Sequence, residues 1–420
     1  MRLTTSFPCV SALLATTVAG VLLQPGPVLA QDDGRRRPVP DFTGTQRARL
    51  RQLRNGETIT ENDGALLTRA AQFYVNRLTE ARYHRKGTTP GDSHTMHTLV
   101  AEAVQEFVFP TPDKQLEENQ QLYMKAFTKP LLVEIKPVLR NPEIIAEVNA
   151  ARILAYLGKA GQEDAVDLML EILDPAKQYH DAVKFWALRG LTDLFAVVRP
   201  KPQKREQDAI QALLDFVNQK PALPPRATRE EVAAVRYLRR QAIRALGQTR
   251  FPAGEGGKPP TALVLLRVAR KEGFTPEPSA SEQVEAAIGV CELKSKLYSD
   301  YQPAYAAHQI AGFVVDFTDA YNSDLQNTTD KRPPSEPWKY HAARLIKALE
   351  ALRADTLERD KYVLEATRRA TNVLRQIVEG TSSVESSNLS RWVSQNPPPE
   401  ANTLYKDIST SVVKPPESGK

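Results

Sequence analysis

The chain is 420 residues long, 41% hydrophobic and 25% charged, with 20 Gly, 31 Pro, 2 Cys and 3 Trp. Those proportions belong to a chain that folds around a sizeable core, and they exclude a collagen-like repeat, a disulfide-stapled miniprotein and a polytopic membrane protein. Lys and Arg total 56 against 50 Asp and Glu, a net charge of +6; with both signs interspersed, that surplus favours solubility and does not mark a nucleic-acid groove.

Residues 1–30 read as an export signal. Arg2 precedes an apolar run over residues 10–23, Pro25 and Pro27 break that run, and Ala30 offers a small residue before a cut at Gln31. The run is shorter than the roughly 20 residues a spanning helix needs. The expectation is an exported chain, periplasmic or at the cell envelope, with no transmembrane segment after cleavage; an anchor kept in place is the alternative. Cleavage removes Cys9 and leaves Cys291 without a disulfide partner. Its neighbours Ala287, Ile288, Val290 and Leu293 predict a buried small hydrophobe rather than a reactive thiol.

Residues 31–44, with Arg35, Arg36 and Arg37 among prolines, read as a disordered leader. Residues 45–140 read as an N-terminal helical segment, either divergent repeats or a cap. Leu67, Ala70, Ala71, Tyr74, Leu78 and Ala81 recur at three- and four-residue spacing, and Thr60 stands three before Asp63 as a candidate cap. Asp92 or Ser93 opens the next helix, which carries Leu99, Val100, Ala103, Val104 and Phe107 until Pro110 and Pro112 stop it.

From Asn141 the pattern becomes repetitive. Asn141 and Pro142 start a helix through Ile145, Val148, Ala151, Leu154 and Leu157, with Gly158 as its expected stop. A second helix carries Ala165, Val166, Leu168, Met169, Ile172 and Leu173. The first helix then recurs. Residues 150–157, 187–194, 239–246, 286–293 and 342–349 align as octets. Four open on Ala150, Ala187, Ala286 and Ala342, with Arg239 in the remaining one; Leu154, Leu191, Ile243, Val290 and Ile346 hold the fifth place. Leu157, Leu194, Leu246, Leu293 and Leu349 close them, at steps of 37, 52, 47 and 56 residues. Second helices are expected to start near Gln162, Lys204, Thr261, Gln302 and Glu358, with proline-rich breaks between units.

On these octets, residues 141–380 resemble the HEAT-repeat family, or more broadly the armadillo-type helical superhelix, whose units run about 40–47 residues. The motif is degenerate. Uneven steps, Arg239 in an Ala place, and Gly190 and Gly289 inside helices are departures from it. The resemblance implies an all-α fold, an α-solenoid of about five antiparallel helical hairpins, that binds or scaffolds a protein partner. After Gly380 the composition shifts, and residues 381–420 read as a Ser- and Pro-rich tail, largely mobile, with Trp392 docking a short turn on the last repeat.

A search for chemistry returns little. His94 and His97 stand three apart near Asp92 and Glu102, but a zinc site needs three or four converging ligands, and His84, His180, His308 and His341 fall in other segments. Gly254, Gly256, Gly257 and Lys258 superficially match a phosphate loop, yet Pro252 and Pro259 occupy places where that loop needs Gly and Ser or Thr. No catalytic residue, cofactor or metal site is therefore expected. Binding candidates are Arg236, Arg240 and Arg244 on one basic helix side, and Tyr298, Tyr301 and Tyr305, clustered with Tyr321, Phe313 and Phe317. Phe313 and Phe317 read as core; the tyrosines read either as core with surface hydroxyls or as a strip for glycan or peptide. Asn327 and Asn388 sit in Asn-x-Ser/Thr sites, which matter only in a glycosylating host. The leading expectation is an exported, non-catalytic adaptor with a protein partner and no nucleic acid. Alternatives are an envelope-polymer (glycan) binder and, by the resemblance, a HEAT-like lyase-type enzyme acting on a groove-bound ligand.

Overall fold

The described residues of the computed structural model are 36–84, 95–111, 115–197, 204–221, 223–249, 261–293, 301–328, 334–356, 360–398 and 404. The expected export signal, Arg35, His94, Tyr298, the glycine-rich loop at 254–258 and residues 405–420 lie outside them. Every regular element within them is helical. In chain order these are α1 (Gly44–Arg54), α2 (Asp63–Asn76), α3 (Met96–Gln105), α4 (Glu118–Val138), α5 (Ile144–Lys159), α6 (Val166–Leu173), α7 (Asp181–Ala196), α8 (Lys204–Asn218), α9 (Arg229–Gln248), α10 (Thr261–Ala269), α11 (Ala280–Glu292), α12 (Pro303–Gln326), α13 (Trp338–Asp355), α14 (Lys361–Glu379) and α15 (Ser387–Gln395). None of them is long and apolar enough to cross a membrane.

Side-chain caps start several of these helices. Thr43, Thr95, Thr228 and Ser279 each accept from the backbone N–H three residues on, while Gln46, Thr98, Glu231 and Glu282 accept from the N–H of the cap residue. The pairing satisfies donors that a helix start leaves open. Thr95 thus opens α3, in place of Asp92 or Ser93. Thr60 plays the reverse of the expected role: its N–H and its hydroxyl both donate to Asp63 Oδ2 at 2.8 Å, and Asn62 is the residue before α2.

Four of the aligned octets fall within α5, α7, α9 and α13, and the remaining one within α11 except for its closing Leu293, the residue after the helix. Their closing leucines are all buried, Leu157 and Leu246 completely so, and burying a leucine contributes about 2 kcal/mol. These first helices pack in sequence, α5 on α7, α7 on α9, α9 on α11 and α11 on α13. The second helices form a parallel series, α6 on α8, α8 on α10, α10 on α12 and α12 on α14. Second helices of one pair also pack on first helices of the next, as with α6 on α7 and α8 on α9.

The in-helix glycines are contact points between first helices. A Cβ on Gly247 would stand 2.9 Å from Gly289 Cα, and one on Gly289 would stand 3.0 Å from Gly247 Cα and from Leu265 Cδ1. Gly158 and Gly190 oppose each other in the same way between α5 and α7, a Cβ on Gly158 overlapping the Gly190 carbonyl. Gly158 and Gly247 therefore do not stop their helices, as the sequence pattern suggests; both lie inside them. The turn after α5 is made instead by Gly161 at φ 73°, and α14 ends on Gly380 at φ 82°.

Both ends of the stack are covered, which corrects the expected leader and tail. Residues 36–43 of the 31–44 leader dock along α2 and α4: the Arg37 N–H donates to Thr79 Oγ1, its guanidinium pairs with Glu134 at 2.9 Å, and Phe42 is buried. Within 45–140, α4 packs on α2 and then on α5 despite Pro130 and Pro137 in its interior. At the other end α15 packs on α12 and α14 with Leu389 and Val393 buried. Asn322 and Val384 exchange two hydrogen bonds, and the Gln302 N–H donates to the Leu404 carbonyl.

Candidate interaction ridge on the first helices

Three aromatic residues occupy one register of the repeat. Phe185, Tyr237 and Tyr340 each stand two places before the aligned octet of α7, α9 and α13. Phe185 and Tyr237 lie on neighbouring first helices, while Tyr340 is separated from them by α11, whose residue in that place, Val284, is buried. Phe185 stacks on Tyr237 across the α7–α9 boundary, with ring centroids 5.5 Å apart at 26°, and meets Trp186 edge-on at 5.1 Å. Guanidinium groups lie over the half-buried Trp186 and over two exposed rings: Arg152 of α5 is 5.3 Å from Trp186, Arg240 5.2 Å from Tyr237, and Arg344 5.5 Å from Tyr340. Each such stack contributes about 0.5–1 kcal/mol at an exposed site. Tyr237 and Tyr340 remain 45% and 59% exposed, high for tyrosines in a regular helix and enough to offer ring faces to a partner.

Beside Tyr237 the surface opens into a groove of about 410 Å³ between α9 and the start of α11. Val232 and Ala233 form an apolar wall, Arg229, Arg236 and Arg240 supply charge, and Ser279 and Ser281 lie at the α11 side. None of its lining residues is a carboxylate. Among the described residues Arg236 donates only to the Glu277 carbonyl, at 3.0 Å, while the buried Nε of Arg240 has no hydrogen-bond partner. At the far end the Ser281 hydroxyl donates to Glu336 Oε2 at 2.8 Å, and His341 Nε2 lies 3.3 Å from Ser281 Oγ and 3.4 Å from Glu336 Oε2. Burial alone would raise the Glu336 pKa, but hydrogen bonds from His341 and Ser281 bring it below its ordinary value. Ser, His and Glu here are not a nucleophilic triad. Serine and carboxylate share one imidazole nitrogen, and the buried Nδ1, where an orienting carboxylate belongs, carries no hydrogen bond. Past Glu336, Tyr340 also walls an apolar cavity of about 730 Å³ with Tyr321, Leu325 and Trp338.

The sequence candidates divide. Arg236 and Arg240 line the groove. Arg244 does not: it crosses to Glu285 of α11 at 2.5 Å, and Arg344 reaches the same carboxylate from α13 at 2.7 Å. Burial would raise the Glu285 pKa, yet hydrogen bonds from Arg344 and Arg244 hold it at about 2. Arg239 and Glu282, both buried, pair at 2.6 Å below the same face. Tyr301 and Tyr305 are only 4% and 6% exposed, so they present no aromatic strip to solvent; their rings fill the layer around α12. Phe313, Phe317 and Cys291 are buried as their neighbours suggest, and burial pushes the Cys291 thiol pKa far up. His97 lies beside Val100, Val104 and Phe109 in a smaller cavity between α3 and α5. Among the described residues no group of three or more His, Cys, Asp or Glu is placed to hold a metal ion.

The aromatic register is the feature that reading for arginines and tyrosines separately passes over. Its signal was present as Phe, Tyr and Tyr two places ahead of three octets, although Val148 and Val284 occupy that place in the other two. Comparison with known proteins finds no matching family model, no matching curated protein and no matching solved structure.

Proposed function

We propose that the chain is an exported, non-catalytic scaffold of α-solenoid, HEAT-like architecture that holds a protein partner in the periplasm or at the cell envelope. One observation carries this reading: first helices and second helices each form a nearest-neighbour series. Stacked hairpins of that kind bury a continuous core between layers and leave long outer faces free for binding. The arginine–aromatic ridge on the first helices supports it further, because Tyr and Arg are the residue types that concentrate binding energy at protein interfaces.

The test is site-specific photocrosslinking in the native envelope fraction, with the photoreactive residue placed at Tyr237 or Tyr340 and, for comparison, at Val133 on the exposed side of α4. The expected outcome is one protein adduct from the ridge positions and none from position 133, with the processed chain starting near Gln31. A chain that co-purifies with a small molecule, metal or polymer and forms no protein adduct would sink the scaffold reading.

A further inference from the structure

We infer that the groove between α9 and α11 binds an extended acidic peptide segment of the partner, one that carries carboxylates followed by an apolar side chain; this rests on the scaffold reading above. Charge complementarity selects the first feature. Arg229, Arg236 and Arg240 line the groove without a carboxylate among its walls. Arg240 is partly balanced by the nearby Glu336 carboxylate, so Arg229 and Arg236 carry most of the uncompensated charge at the groove. A planar carboxylate pairs with a guanidinium through two parallel hydrogen bonds, which makes arginine rather than lysine the suited residue.

Continuity selects the second feature. Ser281 belongs to the groove wall and hydrogen-bonds Glu336, which with Tyr340 belongs to the wall of the apolar cavity. Basic and apolar spaces therefore adjoin along the ridge, with an ionised carboxylate between them. A peptide supplies carboxylates and a bulky apolar side chain at separate places on one chain, whereas a uronic or phosphate polymer repeats its charge at every unit. Glu336 repels acidic residues from the α13 end and so sets the direction in which the segment lies.

The experiment uses the full chain and fluorescence anisotropy with a labelled peptide of Glu followed by Leu, its Gln-for-Glu counterpart, polygalacturonate and polyphosphate. Binding of the acidic peptide should weaken roughly tenfold or more in the R236Q/R240Q double variant and on changing Glu to Gln. It should be unchanged by R189Q, which alters an exposed arginine paired with Asp193 on α7. Tyr340→Ala should weaken the Glu–Leu peptide but not a peptide of Glu alone. Thermal melts of each variant separate lost binding from lost fold. Failure of the peptide to bind, or binding indifferent to Arg236 and Arg240, overturns the inference. Equal or tighter binding of either polymer with the same variant dependence overturns it in favour of an acidic polymer. If the groove fails while photocrosslinks to a protein persist elsewhere, the scaffold reading stands and only the peptide assignment falls.

Discussion

Glu285 shows how a single residue ties three helices together. It sits on α11, 5% exposed, with Arg244 of α9 and Arg344 of α13 on its two oxygens. Its folded pKa of about 2 is below the ordinary 4.5. A depressed carboxylate contributes stability above its unfolded pKa, and that contribution is lost as pH falls from about 4.5 towards about 2. The linkage is on the order of 3 kcal/mol at neutral pH. Urea melts should therefore show Glu285→Gln clearly less stable than the parent at neutral pH, with the gap closing towards the acid end; a gap independent of pH would refute the linkage. Arg239 makes a related point. The octet puts a small residue at its position, but the guanidinium reaches Glu282, which is 0% exposed and also caps α11. Removing one member of such a pair leaves a buried charge and costs about 3–5 kcal/mol. Nothing in the local sequence links Arg239 to Glu282, because the partners lie on different helices.

At the scale of the element, glycines mark close approaches between first helices, as at Gly247 and Gly289 and at Gly158 and Gly190. Alanine is intrinsically better in a helix by about 1 kcal/mol, so the sign of a Gly→Ala change depends on the space available. Gly289→Ala should destabilise the chain by about 1–3 kcal/mol, since the new methyl meets backbone at Gly247 and the side chain of Leu265 and forces the helices apart. Gly64→Ala, in α2 with nothing within 4 Å of its added Cβ, should be neutral or stabilising by up to about 1 kcal/mol. Thermal denaturation of the two variants checks both signs at once; stabilisation by Gly289→Ala would remove the close-approach explanation. The sequence marks Gly289, with Gly190, as a departure from the repeat. Their reason became visible only with the facing helix in place, since a contact between Gly247 and Gly289 has no local signature.

At the scale of the whole molecule, the helices at either end of the packed series would leave apolar faces open without a cover. Residues 36–43 cover one end and α15 with Leu404 the other. Tyr321 donates to the Thr381 carbonyl at 2.8 Å, and the Trp392 ring packs 5.3 Å from Tyr362. Removing residues 381–420 should therefore expose the α12 and α14 faces. The expected results are a lower midpoint of thermal unfolding, increased binding of a hydrophobic dye and concentration-dependent association. A truncated chain that melts and sediments like the parent would show that α15 is an appendage rather than a cover.

By itself the sequence determined the all-helical character, the recurrence of an Ala-x-x-x-aliphatic-x-x-Leu octet and the burial of its leucines, but not α15, which lies in the stretch read as a tail. Those depend on hydrophobic period and capping chemistry, which act over a few residues. It also placed the second helices within a few residues of their observed starts. The tertiary structure alone decided which arginines are surface and which are spent. Arg236 and Arg240 line a groove, while Arg239 and Arg244 are consumed by Glu282 and Glu285 some forty residues away. It also decided that Tyr301 and Tyr305 are core, and that Phe185 stacks on Tyr237 between α7 and α9. Charge pairing and burial depend on neighbours across helices, and the repeat pattern says which helices stack but not which side chains meet between them.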